Sequence, residues 1–165
     1  MQKLIGIIIL AMIGVWLLKT VVPKTDQDST ESTIESSVEQ PATPFTAQFL
    51  IYTNGTQRIF TATMYHRQSP AAYLTSENPS IIHVEQPNIT WQVFFDTLPF
   101  SLDPTCLTTG TGQRFCSDES QRLSFFLNGA ADPQALAKTI QPNDQLLITF
   151  GPNNDQHIEQ QLQSF

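Results

Sequence analysis

Positive charge is scarce in this chain: 8 Lys and Arg stand against 15 Asp and Glu, a formal net charge of -7. A nucleic-acid partner calls for a clustered basic face, so the balance argues against that class. Cysteine is scarcer still, at 2 residues, and a structural zinc site needs about four ligands. Cys106 and Cys116 frame the Gly- and Thr-rich segment CLTTGTGQRFC. Their spacing is not the Cys-x-x-Cys of a redox helix, which leaves a Cys-His redox pair as the reactive alternative and a structural disulfide as the plain reading. Also missing are Gly-x-Ser-x-Gly, His-Glu-x-x-His and any phosphate-binding loop, so no familiar catalytic signature is present.

What is present begins with a long apolar run. Residues 4–18, LIGIIILAMIGVWLL, carry no charge, and apolar character continues past Lys19 to Val22. About 20 such residues cross a bilayer core as a helix, and Lys19 can snorkel toward the headgroups. A cleaved signal peptide shares the basic start and apolar middle, but no Ala-x-Ala-like site follows; Trp16, Leu17, Leu18 and Lys19 stand there instead. The expectation is an uncleaved transmembrane signal anchor over residues 1–23, in the membrane through 4–22. Residues 24–44, KTDQDSTESTIESSVEQPATP, contain no aromatic residue and carry Asp26, Asp28, Glu31, Glu35 and Glu39. That composition predicts a disordered acidic linker, spanning on the order of 25 Å as a flexible coil. A disulfide needs an oxidising compartment, so anchor, linker and cysteines together place the C-terminal domain outside the cytoplasm of a single-pass protein.

The folded part is expected over residues 45–151, with a polar tail, loose or a short helix, over 152–165. Phe45, Phe49 and Ile51 alternate with Thr46, Gln48 and Leu50, the period of a strand with one buried face. Asn54-Gly55 predicts a hairpin returning through Arg58 to Tyr65. Residues 66–80, interrupted by Pro70 and Pro79, read as loop. IIHVE at 81–85 is the next strand, with Ile82 and Val84 on one face and Ile81, His83 and Glu85 on the other. Asn88 or Thr90 then caps a helix on which Trp91, Phe94, Phe95 and Leu98 form an apolar stripe. Pro99 ends it and a loop-rich stretch follows. Strands RLSFFL and QLLITF close the domain, with the Asn128-Gly129 turn between them. The order indicates an α+β fold with a small, mostly antiparallel or mixed sheet and one main helix, and the LNG turn and closing strand are similar to the last strands of β-grasp domains.

The segments IIHVEQPNITWQVFFDTL, Cys106-Leu107, LSFFLNG and QPNDQLLITFG, in that order, resemble a group of uncharacterised membrane-anchored extracytoplasmic proteins of small-genome bacteria and archaea. The resemblance covers residues 45–151 and implies location and fold. The family pattern has a His-Thr-His-Asp stretch before Ile-His-Val-Glu, a set of imidazoles and a carboxylate suited to zinc or copper. In this chain the first stretch becomes Leu74, Thr75, Ser76 and Glu77, while His83 matches the second.

Three functions follow as expectations. The first is a non-catalytic interaction or envelope-assembly module with an envelope or surface protein as partner and no cofactor. The second is a metal-binding domain using His83, Glu77 and Glu85. The third is an enzyme acting on envelope polymers through acids such as Asp96, Asp103, Asp118 and Glu119, whose separation decides whether they can do acid-base work.

Overall fold

The computed structural model describes residues 42–152 and 155–165, so the apolar run and nearly all of the acidic linker lie outside the described residues. No helix among the described residues is long and apolar enough to cross a membrane. In chain order the strands are β1 Phe45–Thr53, β2 Thr56–Arg58, β3 Ala72–Tyr73, β4 Ile81–Val84, β5 Ser101–Leu102, β6 Cys106–Thr108, β7 Arg114–Cys116, β8 Arg122–Leu127, β9 Ala130–Ala131 and β10 Gln145–Gly151. Helix α1, Trp91–Phe95, lies between β4 and β5, and α2, Asp155–Leu162, follows β10. The domain is α+β.

Strand β1 is central because both its faces are apolar. It lies parallel to β10, pairing Phe49 with Leu146 and Ile51 with Ile148, and antiparallel to β4, pairing Ala47 with Ile82. The main sheet runs β3-β4-β1-β10-β8-β9, with β2 beside β1. On one face Phe49, Ile51, Ile82 and Val84 meet Trp91, Phe94, Phe95 and Leu98, all buried as their spacing predicts. Burying each such side chain is worth about 1.5–3 kcal/mol, so this aromatic layer dominates the core. The rings of Phe94 and Phe95 lie 5.8 and 5.2 Å from Phe49 in edge-on contact.

Turn chemistry follows the sequence closely. Asn54 and Gly55 both take positive φ (51° and 77°), as do Asn128 and Gly129 (53° and 82°), which suits the right-handed twist of a two-residue hairpin. The first return strand is shorter than expected: β2 stops at Arg58, and Thr63–Tyr65 forms a 3-10 turn. The chain leaves the sheet at Ile59 and Phe60, with Phe60 turned into the core and Ile59 left in solvent.

Helix α1 is capped by Thr90, whose side chain accepts from Val93 N; Asn88 instead takes a left-handed turn conformation at φ 61°. The helix ends at Phe95 and Leu98 is carried inward by a turn, with Leu98 N donating to Phe95 O. The C-terminal tail is the helix α2. Its Ile158 and Leu162, with Phe165, cover Leu50, Tyr52 and Leu147 on the other face of the sheet. Between α1 and β8 the chain builds a second small sheet, β5-β6-β7.

Candidate functional site

His83 stands half-buried on β4, directly across from Tyr73 of β3, and the two rings stack at 5.4 Å with planes 13° apart. The hydroxyl of Tyr73 donates to Glu85 Oε1 at 3.0 Å, and the Arg67 guanidinium lies 5.0 Å from the Tyr73 ring. His83 and Glu85 thus belong to one surface cluster organised by Tyr73. Glu77 is exposed in the loop before β4. Among the described residues no three His, Cys, Asp or Glu side chains gather where they could hold a metal ion.

The acidic candidates hold turns. Asp103 Oδ1 accepts from Thr105 N, Thr105 Oγ1 and Cys106 N at 2.7–2.9 Å. Asp118 Oδ1 does the same for Ser120 N, Ser120 Oγ and Gln121 N. Hydrogen bonds from Thr105 hold the Asp103 carboxyl below the usual carboxylate range, and those from Gln121 and Ser120 do so at Asp118. Both groups are therefore held ionised, the opposite of what a general acid near neutrality requires. Asp96 accepts from Gln92 Nε2 at 2.7 Å on the surface of α1, and Glu119 is exposed beside Asp118.

Cys106 and Cys116 are direct cross-strand partners on β6 and β7, with Cα atoms 4.0 Å apart, and form a disulfide. This pairing fixes the small sheet from which the Thr109–Thr111 loop projects.

One apolar cleft was not apparent from the sequence. It measures about 380 Å³ and opens between β2, the Thr63–Tyr65 turn and the Thr109–Thr111 loop. Phe60, Tyr65, Phe100 and Leu107 wall it, with the Phe60 ring 5.1 Å from Tyr65 and 5.8 Å from Phe100. Its rim carries Ile59 and Met64, 69% and 50% exposed, two of the three large apolar side chains left in solvent among the described residues. The Phe60 carbonyl is bonded by His66 Nε2 at 2.9 Å, which fixes the chain where it leaves the sheet. Gly110 completes the wall: a Cβ there would come within 2.6 Å of the Pro99 carbonyl oxygen. The available signal was the adjacent apolar pair Ile59-Phe60 shortly after the Asn54-Gly55 turn.

The chain matches no known protein family, no curated protein and no solved structure.

Proposed function

We propose that the chain is a membrane-anchored, extracytoplasmic and non-catalytic interaction module, which joins an envelope assembly by docking a protein partner at the β2 cleft. The observation that carries this reading is the cleft itself, an aromatic-walled recess with Ile59 and Met64 exposed at its mouth. Exposed apolar side chains that adjoin an apolar recess offer a contiguous surface of the kind a partner covers. Residues 4–22 would hold the chain in the membrane, and the linker over 24–44 would hold the domain clear of it. The Cys106–Cys116 disulfide agrees with an oxidising compartment. The same setting is that of the anchored family the sequence resembles.

A β-grasp-like fold is part of this reading. Its support is the central order β4-β1-β10-β8, with the first and last strands of the domain parallel in the middle and α1 following β4.

The test exploits the exposure of the rim. Ile59→Asp combined with Met64→Asp removes apolar surface without entering the core, so the doubly substituted full chain is expected to melt as the parent does. In native gels of gently solubilised envelope, the parent is expected in a complex larger than its own mass and the variant to be released from it. A parent chain that migrates alone contradicts the reading, as does a variant that keeps the complex.

A further inference from the structure

Arg58 is the one charged residue lining the cleft. It is half-buried on β2, opposite Ile51; its Nε donates to Thr53 Oγ1 at 2.6 Å and its guanidinium lies 4.9 Å from the Phe115 ring. The ion pair among the described residues joins Lys138 to Asp132, and no carboxylate of the described residues neutralises Arg58. A partly desolvated guanidinium with a planar fork of donors favours a carboxylate.

The outer edge of β2 supplies a second kind of recognition. Backbone direction alternates along β1: Phe49 N bonds Ser80 O on the β4 side at 3.0 Å, while Asn54 N bonds Phe150 O of β10 at 2.7 Å. By that alternation Ile51 and Thr53 face β2, so their partners Arg58 and Thr56 carry the ladder bonds. Gln57, between them and exposed, turns its N–H and C=O to the open edge of the sheet. An unpaired strand edge takes the main chain of an extended polypeptide.

Three features then adjoin along β2: an apolar recess, the Arg58 side chain on its lining and the main-chain atoms of the β2 edge. A free apolar acid suits the first two only. We propose that the cleft takes the C-terminal residue of a partner polypeptide, its apolar side chain against Phe60, Tyr65 and Phe100, its terminal carboxylate on Arg58 and its main chain along β2. A recess of about 380 Å³ is at the small end of ligand sites and has room for an apolar side chain together with its main-chain atoms. The inference rests on the docking reading above and specifies the chemistry of the partner.

The test is binding of a fluorescent pentapeptide, Ala-Ser-Thr-Ala-Phe, to the full chain in lipid nanodiscs, measured by polarisation. The free-acid peptide is expected to bind about tenfold or more tighter than the same peptide with a C-terminal amide, since the amide removes the charge opposite Arg58. Arg58→Gln is expected to abolish that difference. Because Arg58 also holds Thr53 and Phe115, the acid-against-amide comparison on the unsubstituted chain decides the matter even where the variant folds poorly. Equal binding of acid and amide overturns carboxylate recognition. Displacement by phenylpropionate at the peptide's own affinity overturns the polypeptide in favour of a free acid. Absence of peptide binding while the native-gel complex persists also overturns the terminal-residue proposal but leaves the docking reading standing; absence of both sinks the two together.

Discussion

Gly110 and Asp103 show what single residues contribute, one to the wall of the cleft and the other to a turn. Gly110 sits so close to the Pro99 carbonyl that any side chain displaces backbone, and the nearest side chain it would meet is Met64 of the rim, at 3.9 Å. Gly110→Ala is therefore expected to lower stability by about 1–3 kcal/mol by overpacking and to weaken docking by moving the Thr109–Thr111 loop. Chemical denaturation checks the first; a variant as stable as the parent contradicts the close approach. Asp103 acts through charge. Its carboxyl titrates below the ordinary range because Thr105 and Cys106 donate to its ionised form. A group more acidic in the folded than in the unfolded state contributes fully at neutral pH, and that contribution is lost as the pH falls below about 4. Asp118, held by Gln121 and Ser120, and Asp132, held by Lys138, lose stability over the same range. Asp103→Ala is expected to lower the urea midpoint at pH 7 and to differ much less from the parent at pH 3. A gap of equal size at both pH values would show that the carboxylate charge is not the cause.

At the scale of elements, α2 builds the second layer. Helix and following residues contribute Ile158, Leu162 and Phe165 to a layer over Leu50, Tyr52 and Leu147. Removing residues 153–165 is expected to cost about 2–5 kcal/mol, comparable with large-to-small core substitutions, and to raise binding of a hydrophobic dye. Unchanged melting and dye binding would mean that the second layer contributes nothing. How far the sequence disclosed these elements depends on the physics behind each. The stripe Trp91, Phe94, Phe95 and Leu98 and both Asn-Gly turns were legible because periodicity and positive φ are local properties. The second layer was not: Ile158 and Leu162 share a face at i, i+4, but Gln160, Gln161 and Gln163 make the tail look solvated, and only the sheet beneath shows that this face is covered. The cleft was illegible for a similar reason, since Phe60, Phe100 and Leu107 are distant in sequence and meet through the β5-β6-β7 sheet. A disulfide was the plain reading of the cysteine pair, beside a reactive Cys-His alternative, whereas His83 and Glu85 gave no hint that Tyr73 would be their common neighbour.

At the scale of the whole molecule, the central claim is that an anchored chain presents the β2 cleft to a partner outside the cytoplasm. A partner held in the same envelope would cover the apolar recess and its exposed rim at Ile59 and Met64. A photo-crosslinking residue placed at Ile59 in the full chain, in intact cells, tests this most directly, with Glu119 on the Asp118 turn as the control position. The expected result is one adduct of discrete mass from position 59, none from 119, and loss of the adduct when Met64→Asp is added. Absence of an adduct from position 59, or the same adducts from both positions, would contradict the claim.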